Sequence, residues 1–289
     1  MRAARFQTTI SGPCSVTGRG YWSGQLNTLT FLPAPAGTGI RFVRADLDNA
    51  ASVEAVTENS QGMSLRTRIT DGVSTFDMVE HVMAALYGLQ IDNVEVHCTA
   101  AEMPGMDGSS LAFVLALDSV GKVVLRAKRP QLRIRERIRV GNSTQWIAIE
   151  PSNEFEVEYR LNYGSDSPIG KSTFSAIVDE DTFYHEIAPA RTFVTRAEAK
   201  ALQAQGIATH VTERDLIGFD DKGPANNQLR FIDECSRHNA LDLVGDLAVT
   251  GVDLVGRVTA NRSGHQLNAQ MATQLRRLYL KNQAASKAA

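Results

Sequence analysis

Two helical segments of this 289-residue chain carry histidines and carboxylates at spacings that suit a metal ion. His238 and Asp242 are four residues apart, so on a helix their side chains project from adjacent turns of one face. Glu80 and His81 stand in an otherwise apolar helical segment, where a buried charged pair needs partners. Two imidazoles and a carboxylate around an open fourth position are typical of catalytic zinc, beside which a glutamate can take a proton from attacking water. Each pattern taken alone also fits the solvated face of an amphipathic helix.

A third histidine, His265, follows Gly264 after a predicted strand, so we expect it on a loop that can approach a substrate closely. There it could protonate a leaving amine, although an ordinary surface position fits the same sequence. Asp246 lies one helical turn beyond Asp242 and borders the face that carries His238. The remaining histidines are interpreted as structural: His97, His185 and His210.

Composition limits the classes of protein to which the chain can belong. Its 30 Lys and Arg against 32 Asp and Glu give a net charge of −2, which disfavours a nucleic-acid binder, because phosphate binding needs a basic surplus. A hydrophobic content of 43% excludes a disordered chain. The three cysteines form no CxxC pair, and neither a signal peptide nor a membrane-spanning apolar stretch is evident. We therefore expect a soluble, cytoplasmic protein with no integral membrane segment.

Hydrophobic periodicity predicts the elements that must position these residues. Short β-rich runs predict strands at 28–32, 39–43, 93–97, 132–135, 137–140 and 252–260. Apolar residues three and four apart predict helices at 74–86, 197–205 and 233–249. Ser74 and Thr75 are the expected N-caps of the first helix, and the tail from Ala284 is expected to fray.

A faint internal echo links the segments 81–88 and 238–245, which share His, Leu and Gly at the same offsets. Each segment follows β-rich sequence and precedes a predicted strand, although any two amphipathic helices would share a leucine. The echo favours two similar domains, residues 1–125 and 126–289, separated where the sequence turns to Lys, Arg and Pro.

Several ordered blocks resemble the UDP-3-O-acyl-N-acetylglucosamine deacetylases, the zinc enzymes that commit bacteria to lipid A synthesis. The blocks are collinear and cover nearly the whole chain: 79–81, 88–93, 102–110, 190–193, 229–247 and 262–268. The resemblance implies an α+β fold of two similar layered α/β-sandwich domains, each with a small insert and with the active site at their interface. The segment after Phe193 would then form the passage for the acyl chain.

The same resemblance implies roles for individual residues. The Zn²⁺ ligands that it implies are His81, His238 and Asp242. The catalytic group that it implies comprises Glu80 as general base, His265 as general acid, Asp246 to orient or charge that acid, and Thr192 to stabilise the oxyanion. The contacts to a UDP-linked acylated amino sugar would include Tyr163, Phe193, Arg262 and Asn239.

Three departures from the family pattern bear on the substrate. Trp22 stands where the family has His, Asn239 where it has Lys, and residues 211–215 replace its Gly-Ser-x-Asp-Asn stretch. The catalytic set is complete, so the sequence supports the reaction class better than the substrate. The alternatives are a diverged zinc deacetylase acting on another N-acetyl amino sugar, and a family-like binding protein without catalysis. A monomer is favoured.

Overall fold

The computed structural model describes residues 4–48 and 51–288. The first half contains ten strands within these ranges: β1 (Phe6–Ile10), β2 (Cys14–Arg19), β3 (Leu26–Pro33), β4 (Ile40–Arg44), β5 (Val53–Glu54), β6 (Ser60–Gly62), β7 (Thr67–Thr70), β8 (Thr75–Asp77), β9 (Val94–Cys98) and β10 (Lys122–Lys128). The helices of this half are α1 (Glu80–Gly88) and α2 (Leu111–Val120).

The second half continues with further strands and helices. Its strands are β11 (Gln131–Arg133), β12 (Ile138–Gly141), β13 (Trp146–Glu150), β14 (Phe155–Asn162), β15 (Lys171–Ile177), β16 (Phe193–Thr195), β17 (Ile217–Asp220), β18 (Gly223–Pro224) and β19 (Asp253–Asn261). Its helices are α3 (Glu180–Thr182), which continues into a π-helical turn, α4 (Arg196–Ala204), α5 (Glu234–Ala248) and α6 (His265–Ala288). No described helix is both long enough and apolar enough to cross a membrane.

The two large sheets repeat one topology. The first has the order β2-β3-β9-β4-β5, and the main path of the second is β12-β13-β19-β14-β15. In each sheet the central strand is antiparallel to one neighbour and parallel to the other, and a helix precedes it, α1 before β9 and α5 before β19. Each half also carries a small three-stranded sheet, β6-β7-β8 or β16-β17-β18. The predicted α+β class with two similar layered units is confirmed.

The position of the domain boundary stays a prediction. The expected break after residue 125 falls within β10, which pairs antiparallel with β1 at the start of the chain. A bidentate ion pair from Arg5 to Asp92, together with a second ion pair from Arg5 to Asp253, ties the first half to the second.

Helices α1 and α5 cross at close range. Gly245 of α5 lies against the backbone of α1, where a Cβ atom would collide with the carbonyl oxygen of Glu80. Only glycine permits this approach, and it explains one of the two glycines of the internal echo. Leu241 and Val244 of α5 and Val82 of α1 are fully buried at the centre of the molecule. The close crossing brings the polar residues of the two helices together.

Two predictions about element boundaries were wrong. The helix expected from residue 74 begins at Glu80, because β8 pairs with β7 and its Phe76 is completely buried against Phe42 of the first large sheet. Met78 then adopts a left-handed backbone with φ of 60°, which separates strand from helix. Ser74 and Thr75 are therefore not N-caps.

The second wrong prediction concerns the C-terminal region. His265, expected on a loop, is the first residue of α6, and the tail from Ala284 continues that helix to Ala288. Only a narrow stripe of α6, including Met271 and Leu275, is fully buried, so its apolar periodicity is weak. The other predicted helices and the strands at 28–32, 39–43, 93–97 and 252–260 are confirmed to within about two residues.

Candidate active site

The polar residues of α1 and α5 meet where the two helices cross. Glu80 and His81 form the first turn of α1, whereas His238, Asp242 and Asp246 occupy successive turns of α5. All are buried except Asp242, whose side chain keeps 15% of its exposure. Charged groups in such a position need compensating partners.

Three of these side chains converge on one point. His81 Nε2 lies 3.3 Å from Asp242 Oδ1, and His238 Nε2 lies 3.4 Å from Asp242 Oδ2. The two imidazoles meet edge to face with their centroids 5.1 Å apart. One ligand atom from each of the three residues lies within 4.8 Å of the others, so a single metal ion could contact all three.

The chemistry of this donor set fits a divalent cation. His238 Nδ1 lies 3.1 Å from the carbonyl oxygen of Ala190, which can only accept, so Nδ1 carries the hydrogen and Nε2 presents a lone pair towards Asp242. Asp242 Oδ1 is buried and has no hydrogen bond of good geometry. A lone pair that faces an unsatisfied carboxylate is repulsive, and a bound cation would relieve that repulsion. Burial opposes charge on Asp242, whereas positive charge on the imidazoles of His238 and His81, which a cation bound between them would supply in its place, holds the pKa of its carboxyl well below its usual range.

Glu80 lies beside this cluster with its carboxyl group enclosed by protein. Its Oε2 accepts a hydrogen bond from the backbone N–H of Thr67 at 2.9 Å. Burial raises the pKa of Glu80 to about 7, although the positive charges of His265 and His81 oppose the rise. A carboxyl group with this pKa can accept a proton near neutral pH and release it again.

His265 and Asp246 form a second buried pair. His265 Nδ1 lies 2.9 Å from Asp246 Oδ2, which also accepts from Asn268 Nδ2 at 2.9 Å, and Asp246 Oδ1 accepts from Thr67 Oγ1 at 2.6 Å. Burial disfavours a charged imidazole, but the carboxylate of Asp246 outweighs it and raises the pKa of His265 to about 10. His265 therefore holds a proton at neutral pH, as a general acid must.

A half-polar cavity of about 450 Å³ opens beside these groups. It is lined by His238, Asp242 and His265 and by all the residues for which the resemblance implied substrate contact or oxyanion stabilisation: Tyr163, Thr192, Phe193, Asn239 and Arg262. The rings of Tyr163 and Phe193 pack edge to face, 5.9 Å apart. The structure thus brings every predicted site residue to one place, around α1 and α5.

An apolar cavity adjoins the same centre, and a second apolar cavity adjoins the first. One of about 160 Å³ contacts His81, His238 and Asp242 and is walled mainly by apolar side chains: Trp22, Leu65, Met78, Leu202, Val211 and Leu216. The other, of about 300 Å³, lies between α4 and β17 and shares Leu202, Val211 and Leu216 with the first. Trp22 stacks beneath Arg66, with the guanidinium carbon 5.0 Å from the ring centroid.

Sequence reasoning missed several residues that hold these groups. Thr67, which contacts both Glu80 and Asp246, sits in a short strand and belongs to no recognisable spacing. Asn268 lies three residues after His265, one turn along α6, and prediction of that helix would have revealed it. Tyr159 donates to the carbonyl oxygen of Ser263 at 2.5 Å, two residues before His265.

A cluster that could hold a metal ion, beside a buried carboxyl group and a charged imidazole and open to a half-polar cavity, is the arrangement of a metal-dependent hydrolase. Comparison with known proteins narrows this class. The sequence model of the UDP-3-O-acyl N-acetylglycosamine deacetylases matches residues 7–277, and the chain belongs to this family.

Individual relatives agree with the family match. A UDP-3-O-acyl-N-acetylglucosamine deacetylase of Geotalea uraniireducens is 37% identical over 272 residues, 93% of this chain and 88% of the relative. The protein of the same name from Solibacter usitatus is 36% identical over 275 residues, 94% of this chain and 91% of its own. The protein of the same name from Brucella ovis is 37% identical over 268 residues, 92% of this chain and 93% of the relative.

Proposed function

We propose that this protein is a zinc-dependent amide hydrolase that removes the N-acetyl group from a UDP-linked, 3-O-acylated N-acetylglucosamine in lipid A biosynthesis. Family membership supports the reaction and the substrate class. The observation that carries the proposal is the convergence of three candidate ligands, a proton acceptor and a proton donor on one cavity.

The proposed metal ligands are His81 Nε2, His238 Nε2 and a carboxylate oxygen of Asp242. Zinc in such a site acts as a Lewis acid and makes water nucleophilic at neutral pH. The site adds two features of its own. The Ala190 carbonyl fixes the tautomer of His238, and positive charge between the two imidazoles favours the anionic state of Asp242.

Two proton transfers follow from the positions of Glu80 and His265. Glu80 takes a proton from the water that attacks the acetyl carbonyl carbon, and Thr192, at the wall of the same cavity, stabilises the negative oxygen. His265 then gives its proton to the departing amine nitrogen as the carbon–nitrogen bond breaks. The products are acetate and the free amine, and Asp246 stabilises His265 in the charged state before the transfer.

The cavities suggest how the rest of the substrate is held. We propose that Tyr163, Phe193, Asn239 and Arg262 face the sugar and diphosphate in the larger cavity. The apolar cavities between Trp22 and α4 would take the acyl chain, whose burial contributes about 25 cal/mol per Å².

One experiment tests the reaction and the substrate together. The purified zinc form is incubated with acylated and, separately, with unacylated UDP-N-acetylglucosamine, and released acetate is measured. We expect acetate from the acylated compound and a rate at least about 10-fold lower without the acyl chain. His238→Ala, which removes a proposed ligand, should lose bound zinc and acetate release. His97→Ala, at a partly exposed position of β9, is its matched histidine control and should keep both.

The remaining outcomes separate the alternatives. Equal release from both compounds would favour another N-acetyl amino sugar as substrate. Stoichiometric zinc without release from either would favour a binding protein. We also propose a cytoplasmic location and a monomeric state; Cys14, Cys98 and Cys235 are free thiols, as a reducing compartment allows. Light scattering of the purified chain tests the monomer.

A further inference from the structure

A buried ion pair lies one helical turn before His238. Glu234, the first residue of α5, is completely buried, and Arg191 is nearly so. Arg191 Nε donates to Glu234 Oε1 at 2.8 Å, Arg191 Nη2 donates to Oε2 at 3.1 Å, and the backbone N–H of Arg191 also donates to Oε1 at 3.1 Å. The backbone N–H of Arg230 adds a fourth hydrogen bond, to Oε2 at 2.6 Å. The carboxylate is therefore satisfied entirely by protein groups.

The short segment 190–192, which carries Arg191, also contacts His238, a candidate metal ligand. Ala190, directly before Arg191, supplies the carbonyl oxygen to which His238 Nδ1 donates at 3.1 Å. His238 is four residues after Glu234, so the loop is attached to adjacent turns of α5 through two consecutive residues. Thr192 follows immediately. Its backbone N–H donates to the carbonyl oxygen of Gly108 at 2.7 Å, and its carbonyl oxygen accepts from the backbone N–H of Ile217 at 2.9 Å.

We propose that the Arg191–Glu234 pair is a positioning device for the metal site and for Thr192. By holding residues 190–192 against α5, it keeps the Ala190 carbonyl at His238 Nδ1. That contact selects the tautomer whose Nε2 lone pair faces Asp242, and it fixes the orientation of the imidazole ring. The inference rests on the proposed function, because it assigns Nε2 to zinc.

Fold stability alone gives a weak reason for such a pair. Replacing both members of a buried ion pair by apolar residues of similar volume is often neutral, because the desolvation cost cancels much of the attraction. The positioning role instead explains why the guanidinium reaches two further acceptors in the loop before α5, Asn227 Oδ1 and the carbonyl oxygen of Gln228, each at 2.7 Å. These contacts fix the direction of the whole 190–192 segment.

The test uses Glu234→Gln and Arg191→Lys in the full chain. We expect the dissociation constant for Zn²⁺ to rise about 10- to 100-fold in Glu234→Gln, measured by competition with a chromophoric chelator. Arg191→Lys keeps the charge but loses the planar guanidinium that donates to both carboxylate oxygens, so we expect a smaller rise in the dissociation constant. Nitrogen NMR of the metal-free proteins, labelled at histidine, should show a lower fraction of the Nδ1–H tautomer of His238 in both variants.

Two controls separate positioning from general destabilisation. Arg237→Met breaks the ion pairs of Arg237 to Asp233 at 2.6 Å and to Glu186 at 3.2 Å, next to His238 and without touching residues 190–192, and should leave zinc affinity and tautomer unchanged. Should a single variant fail to fold, the double variant Arg191→Met with Glu234→Leu leaves no unpaired buried charge and is expected to fold with the same loss of the tautomer.

The outcomes distinguish this inference from the proposed function. Folded Glu234→Gln or double-variant protein with wild-type zinc affinity and an unchanged His238 tautomer would overturn the inference. Wild-type protein that binds no zinc would instead overturn the proposed function, and the tautomer of the metal-free protein would still decide whether the pair positions His238.

Discussion

Replacing Asp246 by Asn should move the basic limb of the pH–rate profile to lower pH. The amide keeps the size of the carboxyl group but removes its charge. Its oxygen can satisfy either Thr67 or the two donors on the other side, His265 and Asn268, but not all of them. Turned towards Thr67, it would point an N–H group at the Nδ1 of His265, which disfavours the imidazolium further.

The magnitude follows from the geometry of the pair. The rise of the pKa of His265 from 6.5 to about 10 corresponds to about 5 kcal/mol, although burial by itself lowers this pKa. A unit charge 2.9 Å away at an effective dielectric of about 20 supplies about 6 kcal/mol before desolvation, so Asp246 can account for most of it. Glu80 and Asp242 also face His265 and remain in the variant, so we expect a fall of about two pH units.

The assay is kcat/KM for acetate release between pH 6 and 11. With the limb moved by about two units, roughly a tenth of His265 stays protonated at pH 9, and the rate there should be about 10-fold lower than in wild type. A bound cation lowers the limb in both proteins, so the difference between them is the quantity to measure. Asn268→Ala, which removes a neutral partner of the same oxygen, should leave the limb in place. An unmoved limb in Asp246→Asn would refute the assignment of His265 as the acid held charged by Asp246.

Three further predictions concern other parts of the site. Glu80→Gln should retain one zinc per chain by metal analysis yet lose about 10²- to 10⁴-fold in kcat, the range for a general base; wild-type turnover would place the base elsewhere. Asn239→Lys should raise kcat/KM for the UDP-linked substrate by about 10-fold, since it would add a charge beside the proposed position of the diphosphate, and an unchanged rate would mean that another residue has taken over that role. Gly245→Ala should lower the free energy of unfolding by about 1–3 kcal/mol in urea and weaken zinc binding, because its Cβ would push α1 away. Gly12→Ala, where a Cβ meets nothing, is its control, and equal stability of the two variants would contradict the packing argument.

The sequence alone was enough to select the residues that meet in the candidate active site. His238 and Asp242 share a face of α5 because helical geometry places residues four apart one above the other, whatever surrounds the helix. The adjacency of Glu80 and His81 is a property of the chain itself, and the ordered motifs predicted the family. The repeat of His, Leu and Gly likewise predicted two units of one topology. All of these signals are local or collinear, so a linear sequence contains them.

The tertiary structure decided which of these residues meet. His81 reaches Asp242 only because α1 and α5 cross at Gly245, and the absence of a side chain there signals nothing until the partner helix is known. The pairing of Asp246 with His265 joins α5 to the start of α6. Hydrophobic periodicity did not predict α6, because its buried apolar stripe is narrow. Burial then set the proton affinities, raising the pKa of Glu80 to about 7, because the cost of charging a carboxyl group depends on the water that the whole fold removes from it.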